Sequence, residues 1–77
     1  MKELIEYISR SLVDDPGEVF VEEYESGRHV EVELSVAQKD MGRVIGKGGK
    51  VANAMRALLK VAAEREGKRA SLEILEP

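Results

Sequence analysis

The sequence predicts an α+β domain of two layers, a three-stranded sheet with helices packed on one face. Three observations carry that reading. His29 to Val36 alternates apolar and polar residues without a break, as a strand with one buried face does. Lys50 to Glu66 holds a helical apolar pattern that stops at Gly67. Between these two segments stand Gly46, Gly48 and Gly49, at the junction of two helical patterns.

The elements follow in order. Over residues 2–13, Leu4, Ile5, Ile8 and Leu12 fall on one stripe of a helix, flanked by Tyr7 and Val13. Asp14-Asp15-Pro16-Gly17 ends it, because Pro cannot continue a helix and Gly permits the reversal. Glu18 to Glu25 is β-prone through Val19, Phe20, Val21 and Tyr24, and Ser26-Gly27 breaks it. This run and the next are expected to form a hairpin. In the second strand Val30, Val32, Leu34 and Val36 face inward, while His29, Glu31, Glu33 and Ser35 face water. His29 reads as an exposed turn residue. Gln38 to Val44 gives one or two helical turns. Gly42 inside them costs about 1 kcal/mol relative to Ala, which a close approach of two backbones would justify.

Lys50 to Glu66 is the longest helix, and its core seam is expected at Val51, Met55, Leu58 and Ala62. Its apolar surface is too wide for one buried stripe, so a second subunit is expected to cover a seam at Leu58, Leu59 and Val61. Arg69 to Leu75 alternates again, with Ala70, Leu72 and Ile74 inward and Arg69, Ser71 and Glu73 outward. Lys68 and Arg69, at the start of this strand, read as ordinary surface charges, with a place at the rim of a binding groove as the alternative. Residues 1–77 make one domain in the order α-β-β-α-α-β.

Composition excludes several classes. The chain has no Cys and one His, so neither a disulfide nor a thiolate or imidazole zinc cluster is expected. It holds no Ser–His or Cys–His set, so no catalytic residue, cofactor or small-molecule substrate is expected, and the reading is not an enzyme. No apolar run approaches the roughly 20 residues that span a bilayer. Met1-Lys2-Glu3-Leu4 does not open a signal peptide, so a cytoplasmic protein without a membrane partner is expected.

Net charge is −3, but it is unevenly placed. Residues 1–38 carry −7, residues 39–60 carry +5 and residues 61–77 carry −1. Lys39, Arg43, Lys47, Lys50, Arg56 and Lys60 therefore form a local basic segment around the glycines. That asymmetry directs a polyanion to one face. The glycine segment lacks the spacing and the hydroxyl of a nucleoside triphosphate loop and follows a helix instead of a strand, while a dinucleotide fingerprint is rejected on its glycine spacing and on an expected lack of strands for a parallel sheet. What remains is a backbone bare enough for a phosphate to approach, with a helix N-terminus behind it.

Val44-Ile45-Gly46-Lys47-Gly48-Gly49-Lys50-Val51 resembles the KH-domain signature, in which a G-x-x-G loop between two helices clamps about four nucleotides. The element order is similar to the type II, prokaryotic KH arrangement. The Lys2-Glu3-Leu4-Ile5-Glu6-Tyr7-Ile8 opening, Leu12-Val13-Asp14 and Asp40-Met41-Gly42-Arg43-Val44-Ile45-Gly46 are similar to the small stand-alone bacterial KH proteins of the KhpA family. The resemblance implies single-stranded RNA as partner, with Arg43, Val44, Ile45, Gly46, Lys47, Gly48, Gly49, Lys50 and Asn53 as the contact set. It further implies a homodimer, a heteromer with a larger KH-containing protein, and a role as RNA chaperone or post-transcriptional regulator in cell elongation and division. Gly48 departs from the larger residue many such loops carry. The rival reading is a protein-interaction or assembly module that keeps the KH shape.

Overall fold

The computed structural model describes residues 1–76. Helix α1 spans Lys2–Leu12. A 3₁₀ turn at Pro16–Glu18 leads into β1, Phe20–Ser26, and the turn Gly27-Arg28 leads into β2, His29–Ser35. A second 3₁₀ turn at Gln38–Asp40 runs into the short α2, Met41–Ile45. The glycine turn at Lys47–Gly49 joins α2 to α3, Lys50–Arg65, and β3 follows at Arg69–Ile74.

The sheet order is β1-β2-β3. β1 and β2 are antiparallel, with Val21 opposite Leu34, and β2 and β3 are parallel, with Val32 opposite Leu72. A parallel pair needs a crossover, and α2, the glycine turn and α3 supply it. The turn is thereby fixed near the end of the sheet where β2 and β3 finish. Val30, Val32 and Leu34 are fully buried, and Ile5, Val44, Met55 and Leu59 pack into the same core. The expected α+β class, the hairpin and the inward face of the second strand all hold.

Other expectations need correction. The first strand begins at Phe20, because the Glu18 and Val19 N–H groups are taken by the carbonyls of Asp15 and Pro16. On α1 the stripe is centred on Ile5 and Ser9, both fully buried, while Leu12 is exposed. The Ser9 hydroxyl lies 4.0 Å from the Met55 sulfur, which gives this polar atom a partner inside the core. Gly42 serves no close approach, since a Cβ built there meets nothing within 4 Å.

The largest correction concerns α3. Its buried face is Ala52, Met55, Leu59 and Ala63, which keeps Met55 and moves the other three positions one residue further along, a rotation of about 75°. Ala52 and Ala63 add little bulk, so the helix can lie close to the sheet while Met55 and Leu59 fill the space between. Leu59 is therefore part of this chain's own core and leaves the expected dimer seam. Leu58 and Val61 stay about half exposed, at 49% and 50%. The expected stop at Gly67 holds. Gly67 has φ +70°, its N–H donates to Glu64 O at 3.0 Å, and the Lys68 N–H donates to Ala63 O at 2.9 Å. That pair of bonds satisfies the carbonyls left open at a helix C-terminus.

Candidate nucleic-acid interface

The loop takes its shape from glycines that no other residue replaces without strain. Gly46 has φ +76°, and a Cβ on it would lie 2.5 Å from Val51 Cγ2 and 2.8 Å from the Val51 nitrogen. The chain leaving α2 thus crosses the start of α3 too closely for any side chain. The Gly46 N–H closes α2 onto Gly42 O at 2.9 Å, and the Gly49 N–H donates to Gly46 O at 3.1 Å. Gly48 and Gly49 follow with φ +65° and +79°. Gly49 is the N-cap of α3 and has no side chain with which to cap it. The Lys50 N–H turns back onto Lys47 O, and the positive end of the α3 dipole stands behind a bare loop.

The expected contact residues divide into groups. Lys47 and Lys50 are exposed and, among the described residues, neither pairs with a carboxylate. Ile45 is 37% exposed beside the loop, at the edge of a shallow concavity shared with Gln38, Met41 and Glu76. Asn53 is exposed one turn into α3, and its Nδ2 lies 3.7 Å from the point where a Gly49 Cβ would stand. Val44 is fully buried. It anchors α2 in the core and offers no surface to a ligand, because helical spacing turns it inward while Ile45 turns out.

Arg43 is not a free cation. Its guanidinium lies 3.3 Å from Asp14 Oδ2 and 3.7 Å from Asp40 Oδ1. The Asp40 carboxylate is fully buried and accepts the N–H of Asp14 on one oxygen and that of Asp15 on the other, each at 3.1 Å. This acid ties the turn after α1 to the start of α2, and Arg43 closes the network from outside. Sequence reasoning missed both roles. The only signal was the pair Asp40 and Arg43, one helical turn apart. It also passed over Arg56, whose Nε donates to Leu72 O at 3.4 Å and whose Nη1 donates to Asn53 Oδ1 at 3.3 Å. Arg56 thus spans from α3 to the edge strand β3.

The opposite face of the sheet repels a polyanion. Glu22, Glu33 and Glu73 stand opposite one another across the three strands. The carboxylates of Glu31, Glu33 and Glu73 come within 4.8 Å of one another. Phe20, Tyr24 and Tyr7 are exposed but lie outside the basic segment.

A three-stranded mixed sheet in the order α-β-β-α-α-β, with a Gly-x-x-Gly turn joining α2 to α3, defines a KH domain of the type II arrangement. The chain belongs to the KhpA/KhpB KH-domain family, whose model matches residues 2–74. It is 49% identical over 75 residues to a protein of Clostridium acetobutylicum named RNA-binding protein KhpA, covering 97% of this chain and all of that one. A Clostridium perfringens protein of the same name is 47% identical with the same coverage. Another, from Halalkalibacterium halodurans, is 43% identical over 76 residues, covering 99% of this chain and all of the relative. No solved structure matches the chain. Among the described residues no helix is long and apolar enough to cross a membrane.

Proposed function

We propose that the chain binds single-stranded RNA through the Gly46–Gly49 loop. The observation that carries this reading is the loop itself. Gly46 is forced bare by Val51, the N-terminus of α3 lacks a side-chain cap, and unpaired lysines stand within the loop at 47 and directly after it at 50. Phosphates meet the main-chain N–H groups of Lys47 and Gly48, since those of Gly46 and Gly49 are taken by Gly42 O and Gly46 O, with Lys47 and Lys50 supplying charge and Ile45 an apolar shelf. Asn53 and Arg56 face the groove beside the loop. Arg43 holds the loop's supporting helix instead of a phosphate. With two free lysines engaged, log affinity should fall against log salt with a slope of about −1.4. The names of the relatives support RNA as the polyanion.

The test is Gly48→Asp. Gly48 has open space around it and a left-handed φ, which Asp tolerates better than most residues. The variant should fold and lose RNA binding. Retained binding by the folded variant would remove the loop from the interface.

A second reading concerns assembly, and the half-exposed Leu58 and Val61 favour it. They surround a shallow apolar concavity on α3 with Ala62 and Arg65. A second KH subunit, either this chain or a larger KH-containing protein, would cover them and raise effective concentration on one RNA. A cytoplasmic role as RNA chaperone or regulator of cell elongation and division rests on family resemblance alone. Deletion of the gene, with measurement of cell length, tests it.

A further inference from the structure

The basic residues of the chain do not all gather at the loop. Two open concavities at the other end of α3 share Glu64, Lys68 and Arg69. One adds Lys60, and the other adds Arg28 and His29 from the tip of the β1–β2 hairpin. Among the described residues, Lys60, Arg69 and Arg28 pair with no carboxylate. Lys68 is different, because its ammonium is held 2.8 Å from Glu25, a hydrogen bond that raises its pKa above the usual lysine value.

A track connects these concavities to the loop. Gly49, Asn53, Arg56 and Lys60 fall at i, i+4, i+7 and i+11, on one flank of α3. The Arg56 bond to Leu72 O shows that this flank faces β3, and β3 is an edge strand of the sheet. From Lys50 to Lys60 the flank runs about 15 Å. A strand leaving the Gly46–Gly49 loop along this flank meets amide, guanidinium and ammonium groups in turn. The row of glutamates on the outer sheet face gives it no comparable path.

We propose that the nucleic-acid footprint extends past the roughly four nucleotides of a KH clamp to a second phosphate seat formed by Lys60 and Arg69, with Arg28 at its rim. This proposal rests on the RNA-binding reading above and lengthens it. The occupant is the same single strand, since the seat lies in line with the loop and carries the same charge. Glu64 is the opposing group, the one carboxylate that lines both concavities.

The experiment compares four- and eight-nucleotide single-stranded RNA in titrations of the full chain at several salt concentrations, followed by amide chemical shifts. Two further phosphate contacts should steepen the salt slope for the longer strand by about 1.4. A fourfold rise in salt then weakens the eight-nucleotide strand about sevenfold more than the four-nucleotide one. The double variant Lys60→Gln/Arg69→Gln should erase this difference and leave the short strand unaffected. Glu64→Gln should tighten the longer strand only. Equal slopes for both strands on the unaltered protein, or an unchanged difference in the double variant, would overturn the second seat while leaving the loop in place. Absence of binding to either strand would overturn the loop reading, and the extension with it.

Discussion

Gly42→Ala separates the needs of the fold from those of the ligand. Gly42 lies in α2 with right-handed backbone, is exposed, and has open space where a Cβ would project. Helical spacing turns it away from the buried Val44 and puts it on the strip that runs to Ile45 and Gly46. No contact among the described residues calls for glycine there, although glycine in a helix costs up to about 1 kcal/mol relative to Ala. The alanine variant should therefore be more stable by up to about 1 kcal/mol, a rise in melting temperature of roughly 4–8 °C for a domain this size. Its RNA affinity should fall about tenfold, because a methyl group then fills the space a strand occupies as it passes over α2, at a cost near 1.4 kcal/mol. Thermal denaturation by circular dichroism and fluorescence anisotropy with labelled RNA measure the two quantities on one sample. A stabilised variant with unchanged affinity would show that the strand does not cross α2. A destabilised one would show that Gly42 relieves a contact within the fold.

Three other outcomes follow from the same geometry. Asp40→Asn leaves one acceptor for two N–H donors and turns an amide against the other, so a loss of about 3 kcal/mol is expected in urea unfolding, comparable to what a core this small supplies. Gly46→Ala places a methyl against Val51 at a positive φ and should cost about 2–3 kcal/mol in the same assay, whereas Gly48→Asp should cost much less. Leu58→Lys with Val61→Lys should change folding by under about 0.5 kcal/mol, as exposed positions do, yet shift sedimentation from dimer to monomer. A monomer before and after substitution would remove the assembly face.

Much of the fold was legible because two kinds of signal are local. Alternation from Val30 to Val36 and the glycine at 67 each state their own geometry. The phase of α3 was not legible. Its alanines and leucines make two adjacent apolar stripes, and only the distance between helix and sheet decides that Leu59 turns in and Leu58 turns out. Within the site, the bare turn at Gly46 was readable from composition. The roles of Asp40 and Arg43 were not, since their partners are Asp14 and Asp15, brought close only by the packing of α1 beside α2. A basic residue near a glycine loop looks the same in sequence whether it serves a phosphate or an internal acid.

The pairing of Arg43 changes how the loop's charge should be understood. If every cation from Lys39 to Lys60 were free, the +5 of that segment would attract any polyanion strongly and with little selectivity. With Arg43 held by Asp14 and Asp40, the unpaired charge beside the glycines falls to Lys47 and Lys50, and Arg56, bonded only to the neutral oxygens of Leu72 and Asn53, keeps its charge further along α3. The glutamates across the outer sheet face then discourage binding anywhere else. On the proposed reading, a single loop of this kind should hold a strand weakly. Useful affinity has to come from length, by a strand that reaches Lys60 and Arg69, or from number, by a second subunit on Leu58 and Val61. The two routes respond differently to salt. A longer contact weakens as salt rises, because each added phosphate releases counterions, whereas an apolar subunit contact does not. Measuring RNA affinity against salt at protein concentrations below and above the dimer midpoint therefore assigns the gain to one route or the other.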